Sequence, residues 1–373
     1  MKTLDLFCAI IDNFGDIGVC RRLALQLNRE YGWQVRLWVD DLTAFARLEP
    51  ELHPQAAVQF LKGLEVRHWT DNATVGIIPG DRVIEGFGCR LPETFLQAMA
   101  KRQPAPVWLN LEYLTAEAWA LGCHGLPSPH PRLPLRQYFF FPGFDPRSGG
   151  LLREHDLIAR RDAFQQNQTA QASFWQQLGF PEAMNATRRL SLFAYENTAT
   201  HALLQALKSG PDPVFLAVPE GRALADVNHW IGHTLKAGDY RAEGNLRLAV
   251  LPFLPPEDYD RLLWACDLNF VRGEDSFVRA HWAGRPLIWH IYPQEDEAHR
   301  VKLEAWLDQC RRWLPEAWLQ RQRDWNYGHD YIESWQRVFV DWPQIGAGSR
   351  NFCNHLAQQP DLAARLEDFC AER

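Results

Sequence analysis

An apolar run from Leu4 to Ile11 leads into Asp12-Asn13-Phe14-Gly15-Asp16-Ile17-Gly18, and from Val19 to Leu27 the apolar residues recur at helical spacing. The pattern dictates a strand, a tight glycine-bearing turn and a helix. It places two carboxylates, Asp12 and Asp16, at the carboxyl end of the first strand, where open α/β sheets bind their ligands. The stretch is neither G-x-G-x-x-G nor a Walker A loop, so phosphate binding cannot be read from it. Two readings of the pair stand at this point. Asp16 caps the helix while Asp12 bonds its own turn, or both are reactive groups.

The alternation continues along the chain. Strands are expected at Gln34 to Val39, Asp81 to Gly86 and Pro106 to Leu111, with helices at Glu93 to Lys101 and around Ala116 to Ala120. Such alternation indicates a parallel sheet covered by helices on both faces. From Gly122 to Gly150 the composition changes: Gly125 to Pro131 reads as a proline-rich loop and Tyr138 to Phe144 as an aromatic strand. A helix over about Asp156 to Leu178 then opens a second series. Its strands are Arg189 to Glu196, Val214 to Val218, Leu246 to Phe253, Asp267 to Val271 and Pro286 to Ile291. Its helices are Thr200 to Lys208, Arg222 to Lys236, Glu257 to Cys266 and Phe277 to Ala283. The organisation is thus two Rossmann-like doubly wound α/β domains, residues 1–155 and 156–359. The last helix, 360–373, is expected to return to the first domain.

Composition narrows the class. The net charge of −7 and the absence of a basic run argue against nucleic acid. The eight cysteines are scattered without a C-x-x-C, which disfavours a zinc or disulfide framework. Asp5 interrupts the first apolar run, no cleavage site comes after it, and no membrane-spanning apolar run exists, so a soluble cytoplasmic protein is expected. Trp306, Trp313, Trp318, Trp325, Trp335 and Trp342 are expected to pack helices. His124 and His130 are read as structural. Asp258-Tyr259-Asp260 is formally a D-x-D motif but falls in a first helical turn, where acidic residues are expected anyway; the metal reading is rejected.

Three features of the second half carry chemistry. In Arg272-Gly273-Glu274-Asp275-Ser276, Ser276 can cap the next helix, whose amides and dipole would then hold an anion, or the acidic pair is merely good capping at a helix start. Phe193 and Tyr195, two residues apart at a strand end, face the same side. Phe253 ends another strand just before Pro255-Pro256, where an aromatic can stack on a base or pack the core.

These pieces in this order resemble, over nearly the full length, the bacterial protein-arginine rhamnosyltransferases that mature elongation factor P, the EarP family. The resemblance rests on Asp12 to Gly18, Arg36-Leu37-Trp38-Val39-Asp40-Asp41, Asn110-Leu111-Glu112-Tyr113-Leu114, Gly125 to Pro129, Phe140 to Phe144 and Arg272 to Ser276. It implies a GT-B glycosyltransferase fold with two Rossmann-like domains facing a central cleft. The N-terminal domain would bind the acceptor, elongation factor P, and the C-terminal domain dTDP-β-L-rhamnose, with transfer to an arginine nitrogen by inversion. Neither cofactor, metal, nucleic acid nor membrane is implied. By matching motif, Asp16 would be the general base and Asp12 a second essential carboxylate, with Asn13, Phe14 and Gly15 in the same substrate-binding turn. Phe193, Tyr195 and Phe253 would hold the thymidine nucleotide, and Glu274, Asp275, Ser276 and Tyr292 would surround its ribose and diphosphate. Arg21 and Pro256 depart from the family pattern, where Trp and Gln are usual. The alternatives are a GT-B enzyme with another sugar nucleotide or acceptor, and a non-catalytic binding module.

Overall fold

The computed structural model describes residues 2–11, 14–70, 72–294, 296–328, 335 and 341–373. The chain divides into two compact units, Met1–His155 with Ala357–Arg373, and Asp156–Leu356.

The first unit is built on β1 (Thr3–Cys8), β2 (Gln34–Val39), β3 (Val58–Leu61), β4 (Leu64–His68), β5 (Arg82–Gly86), β6 (Val107–Leu111), β7 (Pro127–Pro129) and β8 (Arg136–Phe140), in the order β3-β4-β2-β1-β5-β6-β8-β7. The strands are parallel except β3 and β7, which lie antiparallel at the two edges. β1 is central and buried along nearly its whole length, as a strand covered on both faces must be. Phe7 stacks on Trp38 at 5.2 Å and meets Phe95 edge-on at 4.9 Å. Asp5 sits inside this apolar layer because Arg36 Nη1 (2.9 Å), Trp38 Nε1 (2.8 Å) and the Gly80 amide (2.7 Å) all donate to it. Burial nevertheless holds its carboxyl above the usual range.

The second unit carries β9 (Arg188–Leu192), β10 (Val214–Pro219), β11 (Tyr240–Glu243), β12 (Leu246–Leu251), β13 (Leu268–Arg272) and β14 (Leu287–His290), in the order β11-β12-β10-β9-β13-β14. Only β11 is antiparallel. One of its cores joins Phe174, Trp175, Phe180 and Phe215. Elsewhere in the unit Phe277 stacks on Trp289 at 3.9 Å, with Trp306 edge-on at 5.1 Å. Trp306, Trp318, Trp325 and Trp335 are all buried, so these tryptophans pack the helical region.

Several expected boundaries move. The expected helix over 156–178 is two helices, Leu157–Gln166 and Gln168–Gln177, because the Asn167 side chain accepts from the Ala170 amide and caps the second. Pro127–Pro129 is an edge strand rather than a loop, a place where proline's missing donor faces no partner. The β3–β4 hairpin escaped detection because β3 is only four residues long and β4 carries charges. Its turn is the pair Lys62 (φ 51) and Gly63 (φ 91), the left-handed geometry that matches strand twist. Arg21, the departure beside the first helix, is 2% exposed and pairs with Glu49 at 2.5 Å. Pro256 occupies the first position of the helix Pro256–Ala265. The helix Leu362–Ala371 belongs to the first unit, where the Leu362 amide bonds the Leu151 carbonyl at 3.0 Å.

Candidate active site

Each sheet changes its direction of growth once. In the first, strands are laid on the β2 side of β1 and then on the β5 side, so the switch point lies between β1 and β5. In the second it lies between β9 and β13. The crevice outside the carboxyl ends of such strands is where ligands bind.

At the first switch point the helix Gly15–Tyr31 begins after Phe14, which has φ −108 and ψ −5 and makes no side-chain cap. The Arg47 guanidinium lies 5.4 Å from the Phe14 ring. Asp16, in the first helical turn and 3% exposed, accepts the Ile11 amide on Oδ2 at 3.0 Å. It therefore ties the helix start back to the exit of β1. The helix approaches β5 closely because Gly86 has no side chain: a Cβ there would lie 2.9 Å from both Cys20 Sγ and the Phe7 carbonyl oxygen. Asp12 and Asn13 lie outside the described residues.

At the second switch point Phe193 and Tyr195 come just after β9, which ends earlier than expected, at Leu192. They still act together. The Arg272 guanidinium, at the end of β13, lies 4.7 Å from the Phe193 ring and 4.8 Å from the Tyr195 ring. Its Nη1 is buried without a hydrogen-bond partner among the described residues. A buried cation left with unused donors costs free energy unless an anion arrives to accept them. Tyr292, 52% exposed, meets Tyr195 edge-on at 5.5 Å, and His290 meets it at 5.3 Å. Burial, with Arg272 nearby, holds His290 down to about 4, so it is neutral at ordinary pH.

The acidic turn after β13 differs in detail from expectation. The helix Asp275–Ala283 begins one residue before Ser276, so Ser276 is no cap; its hydroxyl donates to the Arg272 carbonyl and accepts the Arg272 amide at 3.2 Å. Its position pins the residue that carries the guanidinium. Glu274 pairs with Lys302 at 3.1 Å, and Asp275 is half-buried in the first turn. Phe253 stands two residues beyond β12, half-buried, on the third strand from β13 across the sheet.

The D-x-D stretch is spent on structure. Asp258 pairs with Arg261 at 3.1 Å, and Tyr259 meets Phe193 edge-on at 5.5 Å. Asp260 takes a two-pronged bond from Arg279, Nε at 2.9 Å and Nη2 at 2.6 Å, with both side chains almost fully buried. Among the described residues no group of three His, Cys, Asp or Glu side chains is arranged to hold a metal. His124 and His130 each accept backbone amides, from Phe141 (3.1 Å) and Leu133 (3.0 Å) respectively. The sequence presents Arg272 only as one member of its motif, with no role of its own. The available signal was a lone cation ending a buried strand just before an acidic pair.

Comparison with known proteins agrees with this architecture. The family model described as Elongation-Factor P (EF-P) rhamnosyltransferase EarP matches residues 4–371. A protein-arginine rhamnosyltransferase of Pseudomonas putida is 48% identical over 372 residues, covering 98% of each chain. One from Neisseria meningitidis serogroup B is 36% identical over 385 residues, covering 98% of this chain and 96% of the relative. A solved structure described as the basis of EarP-mediated arginine glycosylation of translation elongation factor EF-P superposes with a TM-score of 0.71 at 36% identity, covering 100% of this chain and 99% of the other. Acinetobacter baumannii MurG superposes with a TM-score of 0.55 at 13% identity over the full length of both chains, a likeness of fold alone. The fold is GT-B. No helix among the described residues is long and apolar enough to cross a membrane.

Proposed function

The chain belongs to the EarP family of elongation-factor P rhamnosyltransferases, and we propose on that premise that it moves L-rhamnose from dTDP-β-L-rhamnose to an arginine nitrogen of elongation factor P, with inversion at the anomeric carbon. The observation that carries the reading is the contrast between the two switch points. One holds the buried carboxylate of Asp16; the other holds Arg272 between two aromatic rings with an unused donor.

The chemistry requires both. A guanidinium has a pKa above about 12, so it is a poor nucleophile at neutral pH until a carboxylate orients it and takes its proton. The arginine nitrogen attacks the anomeric carbon, the bond from that carbon to the diphosphate oxygen breaks, and the proton leaving nitrogen passes to Asp16. Asp12 serves as the second carboxylate on the guanidinium. The departing diphosphate gains charge, which Arg272 and the amides opening the helix Asp275–Ala283 neutralise. Phe193, Tyr195 and Phe253 hold the thymidine nucleotide, with Glu274, Asp275, Ser276 and Tyr292 around ribose and diphosphate. Lys302 holds the Glu274 carboxylate to one side, where it orients rather than repels. No metal takes part in this scheme, since Asp260 is committed to Arg279. The test is the intact mass of elongation factor P incubated with the enzyme and dTDP-β-L-rhamnose. An increase of one deoxyhexose on an arginine is expected; an unchanged mass would sink the proposal.

A further inference from the structure

Glu112 lies in the Asn110-Leu111-Glu112-Tyr113-Leu114 motif, to which neither switch point assigned a role. It comes directly after β6. Cys8, Gly86 and Leu111 are aligned across β1, β5 and β6, so Glu112 leaves the same carboxyl edge as the Asp16 turn. Two strand spacings, about 10 Å, separate the exits of β1 and β6.

The surroundings of Glu112 are built for a cation that is not part of them. Asn110, 8% exposed, accepts the Gly88 amide at 3.2 Å and donates Nδ2 to Glu112 Oε1 at 2.7 Å, which fixes the carboxylate's direction. The other oxygen, Oε2, has no hydrogen bond, and the carboxylate has no ion-pair partner, among the described residues. Burial raises its carboxyl above the usual range with no basic group to offset it. The neighbouring Glu85 differs: both of its oxygens are taken, by the Leu91 amide and the Gln137 side chain, so it is a closed structural group. Beside Glu112 the Phe87 ring stacks on Tyr113 at 4.7 Å, and Tyr113 is 37% exposed. Phe87 holds φ at 59, a left-handed conformation that a phenylalanine adopts only under constraint, and such strain gathers at functional sites. A flat aromatic face next to an uncompensated carboxylate matches a guanidinium, which stacks and donates from one plane.

We propose that Glu112 and the Phe87–Tyr113 stack seat the acceptor arginine, with Oε2 accepting from the guanidinium and the tyrosine face lying along its plane. The inference rests on the acceptor class proposed above. Glu112 is thereby a binding group that presents the nitrogen, distinct from Asp16, which takes the proton.

The test is a binding cycle between the enzyme and elongation factor P, native or with its modified arginine changed to Ala. Glu112→Gln preserves shape and the Asn110 contact. It should weaken binding of the native acceptor roughly 30-fold, the effect of removing one partner of a desolvated charge pair. The Arg→Ala acceptor should bind both enzymes alike, and dTDP affinity should be unchanged. Equal weakening of both acceptors, or no weakening of either, would overturn the assignment. If Glu112→Gln does not fold, Glu112→Asp, which keeps the charge but withdraws it, serves in the same cycle with the same outcomes. Failure of the wild-type enzyme to add rhamnose would overturn the proposed activity instead, and the mass measurement separates the two.

Discussion

The two switch points share a topology and differ in charge. The first gathers carboxylates at its rim, with Asp16 tied to Ile11 and Glu112 left without a cation among the described residues. The second gathers a cation and rings, with Arg272 against Phe193 and Tyr195. Under the proposed function the difference means that one backbone plan is fitted to opposite reagents by the few residues at each strand's exit. A cationic acceptor calls for anions, and an anionic donor calls for N–H groups and flat apolar faces. The supports do not follow that contrast, since each unit buries an ion pair: Arg21–Glu49 in the first and, in the second, Asp260–Arg279, which joins the helix that opens at Asp275 to the helix before it.

That support gives the largest expected effect. Asp260→Leu takes from the buried Arg279 the carboxylate that accepts its two-pronged bond and should destabilise the second unit by about 3–5 kcal/mol, while Asp260→Leu with Arg279→Leu should recover much of it. Urea melts monitored by tryptophan fluorescence measure both; a single substitution as mild as the double would show that the pair does not join the two helices energetically. Next comes Asp16→Asn, which removes the proposed base from the first switch point. Transfer should fall by at least ~10² while dTDP affinity is kept, and Asp12→Asn should cripple transfer as well. Equal loss of dTDP affinity in Asp16→Asn, seen by calorimetry, would erase the division between the units.

Substitutions at the second switch point should show the reverse pattern. Phe253→Ala, removing a base stack, should weaken dTDP by ~1–3 kcal/mol and leave association with elongation factor P intact. Unchanged dTDP affinity would return that ring to the core.

Acid gives a smaller and graded effect. Burial lowers His281 from 6.5 to about 3 and His290 from 6.5 to about 4, so both are neutral when folded. The unfolded chain takes up protons below pH 6.5 that the folded unit refuses, so stability is present above that value and declines as pH falls towards 4. His281→Phe, placed among Phe277, Trp306 and Phe352, should flatten part of that decline. An identical pH slope in this variant would show that His281 does not titrate on unfolding. The smallest expected effect is none: a chelator should leave turnover unchanged. Loss restored by magnesium or manganese would reopen Asp258 and Asp260 as ligands.

The alternation of apolar runs and helical spacing was enough, read along the chain, to set two doubly wound sheets, because burial on both faces leaves parallel strands a continuous apolar signature. The glycine turn at 12–18 and the motif at 272–276 were visible for the same reason: backbone sharpness and polar residues at strand ends are local properties. What each side chain does there was decided only by tertiary structure. Ser276 has capping chemistry, yet the helix starts one residue earlier and its hydroxyl goes to Arg272. Asp260 has the spacing of a metal motif, but an arginine on the next helix claims it. Arg272 is marked locally only as a lone cation before an acidic pair, and Glu112 only as one member of its motif. Their significance is a missing partner, and a missing partner is a statement about every neighbour in space, which spacing along a chain does not encode.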